Sequence, residues 1–320
     1  MRKNIPVITD PIILKQKLSE FSSPISLEQF QQLVQNQYSR NSLLAMTKDW
    51  NHFVSFCISK HVSSLPASVA AVRQFIEYEA RTHKYSTIRR YAVTIGIIHS
   101  LLSLNDPTTN RKVQMSLANL RLEKLDDAKQ AMPFTQEHLF ALDERLSRSE
   151  YKKDIRDLAI YYVMFECVLK RGELKFFERK QISIDNELAI TVHVGEAKYS
   201  LSDRASLALH RWLTIVNRNE GIVFCSIDRH GNISSISLND ASIFRILRNA
   251  GKQLGLMNLK FSGQSTRIGA AQELAKQGYK MRDIQQFGRW LSPAMPAQYI
   301  GKTHTAEQEK MKFKTIKPWS

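Results

Sequence analysis

"FSGQSTRIGAAQELAKQGYKMRDIQQFGRW" (residues 261–290) is the stretch on which the rest of the chain turns. Arg267 follows small hydroxyl residues near its start, Trp290 closes it, and Tyr299 comes nine residues later. Gln264 stands three residues before the arginine, where a proton-carrying side chain is expected. The question is what chemistry needs an arginine, a tryptophan and a tyrosine in that order.

Charge narrows the partners. The 320 residues carry 46 Lys and Arg against 30 Asp and Glu, a formal net charge of +16 with a pI near 9.8. Such an excess favours a polyanion, nucleic acid first and an anionic membrane surface second. No window approaches a spanning helix free of charges. In the basic start "MRKNIPVITDPIILKQKL", Asp10 and Pro11 interrupt the apolar residues and no small-residue cleavage site follows, so it does not read as a signal peptide. Cys57, Cys167 and Cys225 have apolar neighbours and no paired spacing, as reduced core residues of a cytosolic protein do. Zinc spacing, a P-loop and HExxH are all missing from the sequence, so neither a metal nor a nucleotide cofactor is expected.

Periodicity predicts two domains, mainly α with a small antiparallel β-sheet. Residues 1–24 read as a loosely held arm. Residues 25–122 read as four or five helices. In "NSLLAMTKDWNHFVSFCISK", Met46, Trp50, Phe53, Val54 and Cys57 form one stripe. In "YSTIRRYAVTIGIIHSLL", Ser86 or Thr87 is the expected cap, Ile88, Tyr91, Ile95 and Ile98 the apolar face, and Lys84, Arg89 and Arg90 the other side. Residues 123–133 are the linker, 134–304 the second domain and 305–320 a tail. Thr135 is expected to cap "TQEHLFALDERL" without a capping box, because His138 stands where an acid would. "IRDLAIYYVMFECVL" predicts a central buried helix. Lys170 and Arg171 after it would suit that helix's C-terminus as simple cations. "ISIDNELAITVHV" turns at Asp185-Asn186 and then alternates at Leu188, Ile190, Val192 and Val194, a strand signature. "GEAKYSL" closes a hairpin with Lys198 at or near its tip.

A basic, metal-free protein that acts on a phosphodiester needs a nucleophile, cations for the phosphate and an acid for the leaving oxygen. Tyrosine can attack phosphorus covalently, splitting one hard step into two. Arginine's planar fork gives two parallel hydrogen bonds to phosphate oxygens. A hairpin lysine can act as the acid. Tyr299, Arg267 and Lys198 are the candidates. Taken singly each has an ordinary reading: a core or surface tyrosine, a surface arginine at a helix start, a solvated lysine. Trp290 alone reads as core, and His193 as a strand-surface residue.

These boxes resemble the tyrosine site-specific recombinase (phage-integrase) family, and its Cre-like members in particular. "SGQSTRIGAAQELAKQGYKMRDIQQFGRW" is similar to the family's His-x-x-Arg box, "LKRGELKFFERKQIS" to its first-arginine box and "HVGEAKYS" to its lysine hairpin. "RNSLLAMTKDWNHFVSFC" and "DDAKQAMPFT" resemble the core-binding domain and linker. The shared order and spacing cover nearly the whole chain.

The resemblance implies a helical (SAM-like) core-binding domain and a tyrosine-recombinase catalytic domain acting without a cofactor. Tyr299 would form a 3′-phosphotyrosyl intermediate, Arg267 would clamp the phosphate, Lys198 would protonate the departing 5′-oxygen, and Trp290 would pack there with its indole N–H near the phosphate. Glu173 would support the first-arginine box. Partners would be double-stranded DNA with a specific site, built from inverted repeats, and three further copies of the chain in a homo-tetramer on two sites. The tail, through Met311, Phe313 and Ile316, would dock on a neighbour. Integration, excision or resolution of a mobile element or plasmid would follow, in a bacterial or phage setting at the nucleoid. In a protein of this charge, Arg40, Lys48, Lys84, Thr87, Arg89, Arg90, Arg245, Lys260 and Arg282 are candidate phosphate and groove contacts.

Two positions depart from the family pattern. The first-arginine position is Lys170, with Arg171 one residue late, and lysine lacks the bidentate fork. Gln264 replaces the usual histidine and cannot accept and return a proton. Both retain contacts and weaken chemistry, so slow or context-dependent exchange is expected. A catalytically weakened DNA-binding or accessory protein is the second reading, and a type IB topoisomerase the third.

Overall fold

The structure is a computed structural model that describes residues 5–127, 130–302, 304–306 and 308. The chain divides into two compact units, Met1–Lys129 and Gln130–Ser320. The expected docking residues Met311, Phe313 and Ile316 lie outside the described residues.

The first unit has six helices among its described residues: α1 (Pro11–Phe21), α2 (Leu27–Leu33), α3 (Arg40–Ser59), α4 (Val69–Glu79), α5 (Tyr85–Leu101) and α6 (Arg111–Glu123). The extra one is α1, where a loose arm was expected. Asp10 and Pro11 do not interrupt the segment; they start it. The Asp10 carboxylate accepts the Ile12 and Ile13 N–H groups and Pro11 takes the first turn, where its missing N–H costs nothing. The segment is held down by a fully buried Phe21, whose carbonyl accepts the Trp50 indole N–H at 3.1 Å, and by Ile8 N–H to Leu101 O at 2.9 Å.

The α3 stripe Met46, Trp50, Phe53, Val54 and Cys57 is buried, as is the α5 face Ile88, Tyr91, Ile95 and Ile98. The expected cap of α5 is wrong. Lys84 occupies the cap position without a side-chain bond, and Ser86 and Thr87 lie inside the first turn. Instead the Asp127 carboxylate accepts the Tyr85 N–H, at 3.4 Å.

The second unit begins with α7 (Gln136–Leu146), capped by Thr135. A capping box exists after all, made by His138, whose Nδ1 accepts the Thr135 N–H at 3.0 Å. Burial lowers the His138 pKa, which keeps the ring neutral and that nitrogen able to accept. Helix α8 (Lys152–Glu166) is the central element, with Tyr161, Tyr162 and Val163 fully buried. It ends before Lys170 and Arg171, so these cations do not decorate its C-terminus. The chain reverses through Val168 at φ +49°, and Lys170, in extended conformation, becomes the N-cap of a short α9 (Arg171–Lys175).

A three-stranded antiparallel sheet follows: β1 (Ile182–Ile184), β2 (Ile190–Val194) and β3 (Ala197–Ser200), with His193 opposite Lys198. Leu188 is not part of its alternation; it sits exposed in the β1–β2 turn at φ +63°. After α10 (Asp203–Val216) comes a second hairpin, β4 (Cys225–Ile227) and β5 (Ile233–Ser237), which no sequence signal above identified. Its strands are short and mostly Ser and Ile, with little apolar alternation. Helices α11 (Asp240–Gln253), α12 (Gly263–Lys276), α13 (Met281–Phe287) and α14 (Ala294–Tyr299) complete the unit.

The opening stretch is thus two helices and a turn. Gly269 of α12 lets the chain entering this unit pass against the helix. A Cβ there would fall 1.7 Å from the Phe134 carbonyl oxygen, while the Phe134 N–H donates to Ser265 O at 2.9 Å. Cys57, Cys167 and Cys225 are buried free thiols, and burial pushes Cys57 up to about 11 and raises Cys167 well above the ordinary thiol range. Among the described residues no helix is long and apolar enough to cross a membrane, and no three His, Cys, Asp or Glu side chains are grouped to hold a metal.

Candidate active site

Three elements bring the signature residues together: the first turns of α12, the turn between α13 and α14, and the end of α14. Ser262 caps α12 through Gln264 N–H, and its own N–H is accepted by Ser265 Oγ at 2.9 Å. This fixes the α12 entry, with Gln264 exposed and Arg267 one turn further in. Arg267 is 7% exposed, not a surface residue at a helix start. Its guanidinium donates to the carbonyls of Val168 and of Gly288, the latter at 2.9 Å, and lies 4.5 Å from the centre of the Trp290 ring.

Burying an ion costs several kcal/mol even after relaxation. Two carbonyl acceptors, a cation–π contact of about 2 kcal/mol when desolvated and the nearby Glu173 carboxylate offset that cost. Burial lowers the Arg267 pKa and Glu173 pulls it back; a guanidinium still remains charged at neutral pH.

Trp290 links Arg267 to Tyr299. Its ring meets the Tyr299 ring edge-on at 5.9 Å, and Tyr299 is 5% exposed in a cluster with Ile268, Ala271 and Ile284. The Gln264 amide Nε2 donates to the Tyr299 hydroxyl at 2.9 Å, and the Gln272 amide to the Tyr299 carbonyl at 2.9 Å. The glutamine therefore touches the tyrosine oxygen itself. An amide donor can stabilise negative charge on that oxygen but cannot take its proton.

The two first-arginine candidates both point to acceptors of their own. Lys170 Nζ is 3.3 Å from Glu173 Oε1, and Arg171 Nε is 3.0 Å from Asp240 Oδ1 on α11. Because Lys170 is extended and only Arg171 is helical, the two differ by more than one helical step. Glu173 Oε2 accepts the Lys170 N–H at 2.7 Å and the Arg289 guanidinium at 2.7 Å. Burial alone would raise the Glu173 pKa; these bonds and the neighbouring cations outweigh it and hold the carboxyl below its usual range. Lys198 is exposed on β3, its ammonium with no hydrogen bond or ion pair among the described residues, and the structure does not bring it against Tyr299. Its neighbour Tyr199 is anchored to the site, donating its hydroxyl to Phe287 O.

The candidate nucleic-acid contacts fall into two kinds. Arg40, Lys48, Lys84, Arg89, Arg245, Lys260 and Arg282 are exposed, and Thr87 is half-buried. Arg90 is committed elsewhere: its guanidinium makes a bidentate pair with the buried Asp49 carboxylate at 2.7 and 2.8 Å. That pair occupies the guanidinium fork while about half of the side chain, 47%, stays exposed. The residue the sequence did not reveal is Arg289, which lies between Gly288 and Trp290 and whose guanidinium reaches Cys167, Val168, Glu173 and Tyr199. Its only local signal is an arginine before the tryptophan; its direction depends on a backbone at φ +53°.

Residues 134–306, just over half of the chain, match the model of the phage integrase family. The chain is 23% identical to the recombinase cre of Escherichia phage P1 over 291 residues, covering 83% of this chain and 84% of that one. It is 24% identical to an integrase/recombinase xerD homolog of Selenomonas ruminantium over 306 residues, 90% of this chain and 89% of that one. Among solved structures it resembles XerH site-specific recombinase bound to palindromic difH substrate, with a TM-score of 0.63, 14% identity and coverage of 98% and 91% of the two chains. It also resembles the Tn1549 transposon integrase in complex with transposon right end DNA, with a TM-score of 0.58, 9% identity and coverage of 89% and 99%.

Proposed function

The chain belongs to the phage integrase family, the tyrosine site-specific recombinases, and from that premise we propose that it cleaves and rejoins double-stranded DNA through a covalent phosphotyrosine at Tyr299. The tyrosine oxygen attacks the scissile phosphorus as its phenolic proton passes to solvent, the bond to the 5′-oxygen breaks, and the 3′-phosphate stays on Tyr299. Arg267 faces the charge that develops on the non-bridging oxygens, where a preorganised donor is most effective. Lys198, exposed at the hairpin, gives the leaving oxygen its proton. Neither a metal nor a nucleotide is assigned a part.

The observation that carries this reading is a run of contacts on Tyr299: Gln264 donates to its hydroxyl, Trp290 meets its ring, and Arg267 stacks on the Trp290 indole. A buried tyrosine whose hydroxyl meets a polar side chain, beside a buried arginine stacked on an indole, is more than core packing requires. The substrate is read as a specific duplex site with inverted repeats, engaged by a homotetramer on two sites, in integration, excision or resolution of a mobile element. The proteins named in the related structures are DNA-bound recombinases, which supports the choice of duplex DNA.

A nicked suicide DNA carrying the site tests it. The wild-type chain should form a covalent adduct and Tyr299→Phe should not. An adduct-free wild type would sink the enzyme reading. It would leave the weakened, accessory DNA binder, which is favoured by the pairing of both Lys170 and Arg171 with carboxylates.

A further inference from the structure

Two residues with side chains sit in left-handed backbone on opposite sides of the site: Val168 at φ +49° and Arg289 at φ +53°. For a β-branched residue such a conformation is a true outlier and persists only where the surroundings over-determine it. What holds both is one guanidinium. Arg289 Nη1 donates to Cys167 O at 3.1 Å and to the Tyr199 hydroxyl, and Nη2 donates to Val168 O at 3.4 Å and to Glu173 Oε2 at 2.7 Å. The guanidinium also lies 5.1 Å from the centre of the Tyr199 ring. Four segments meet on it: the turn after α8, the start of α9, strand β3 and the turn between α13 and α14.

The same turns hold Arg267. Its two acceptors are Val168 O, shared with Arg289, and Gly288 O, the carbonyl of the peptide that Arg289 itself completes. Gly288 also admits the Trp290 ring, since a Cβ there would fall 1.7 Å from Trp290 Cζ3. Thus both acceptors and the aromatic plane that orient Arg267 lie on segments tied together by Arg289. Lys170 meets this corner through Glu173 as well, with its ammonium 3.3 Å from Oε1 and its backbone N–H donating to Oε2 at 2.7 Å.

We propose that Arg289 is the positioning residue of this site: its guanidinium locks the Val168 and Gly288 carbonyls in the places that aim Arg267. Both Nη atoms of Arg289 are engaged, so it acts through Arg267 and does not hold phosphate itself. The proposal rests on the reading of Arg267 as the phosphate-holding arginine.

Full-length Arg289→Ala and Arg289→Lys test it in two ways. Arginine side-chain N–H signals in 15N spectra, assigned with Arg267→Lys, report how firmly Arg267 is held. Single-turnover cleavage of nicked DNA reports the consequence. The wild type should show slowly exchanging Arg267 signals. Both variants should lose them, the lysine variant included, because a point charge cannot bracket four acceptors. Adduct formation should slow by roughly 10- to 100-fold, the scale on which small misplacements act, with the half-saturating DNA concentration unchanged. Methylguanidine should restore part of the rate to Arg289→Ala. Retained Arg267 signals would overturn the proposal. So would a wild-type cleavage rate, or an affinity loss without a rate loss. If Arg289→Ala does not fold, Arg289→Lys decides alone. If the wild type forms no Tyr299-dependent adduct, the nucleophile reading falls, and the Arg267 signals still decide the role of Arg289.

Discussion

The Gln264 side-chain amide donates to the Tyr299 hydroxyl at 2.9 Å, joining the first turn of α12 to the last residue of α14. One of the two residues that depart from the family pattern is therefore in contact with the proposed nucleophile. The consequence is chemical: among the described residues the oxygen has a donor to lean on and no partner that can take its proton.

Gln264→His should accelerate adduct formation on nicked DNA. A positioned acid–base group contributes about 10²- to 10⁴-fold, and an imidazole set for another architecture should recover the lower end of that range. Gln264→Leu should slow the reaction below wild type. Equal rates for all three proteins would show that the 2.9 Å contact has no part in the chemistry.

Gly269→Ala should destabilise the second unit. Its Cβ would fall 1.7 Å from the Phe134 carbonyl, whose ring is fully buried and whose N–H is bonded to Ser265 O. Neither backbone can yield cheaply, so a loss of about 1–3 kcal/mol is expected. Urea midpoints at constant slope measure it, and an unchanged midpoint would contradict the close approach.

Arg89 and Arg90 should separate into a surface and a structural arginine. Arg90→Gln leaves the Asp49 carboxylate, which is 3% exposed, without its bidentate partner. Half the Arg90 side chain is exposed, so solvent screens the pair and a cost of about 1–2 kcal/mol is expected. Arg89→Gln should leave stability alone and weaken DNA binding with a smaller salt slope. The reverse pattern in thermal melts and binding titrations would reassign both.

Asp157 offers a pH test. Burial on α8 pushes its carboxyl up to about 6 despite the adjacent Arg156 guanidinium. A pKa raised on folding means the native state binds the proton more tightly, so this group's stabilisation is complete below the unfolded value of 3.8 and fades as pH rises through about 6. Asp157→Asn lacks this term. The wild type should therefore lose stability relative to the variant between about pH 4 and pH 6 and run parallel to it above. Parallel melting curves across that window would show the carboxyl to be unshifted.

How much was legible in the sequence depended on range. The apolar stripes of α3 and α5, the buried α8 and the Thr135 cap follow from spacing within one or two turns, and they are present. Asp10-Pro11 carried a helix-start signal of the same local kind, but the mixed composition around it masked that signal. The β4–β5 hairpin had too little alternation to declare itself.

The sequence by itself determined the family boxes, the order Gln264, Arg267, Trp290 and Tyr299, and the two departures, because these are matters of residue identity and spacing. Tertiary structure alone decided which side chains meet. It turned Gln264 onto the tyrosine hydroxyl and placed Lys170 and Arg171 on different carboxylates. It also set Arg289 among carbonyls more than a hundred residues away in the chain. The physical reason is that a buried guanidinium must find acceptors wherever the fold presents them. Here two are the carbonyls of Cys167 and Val168, offered by a left-handed turn that no pattern of side chains encodes.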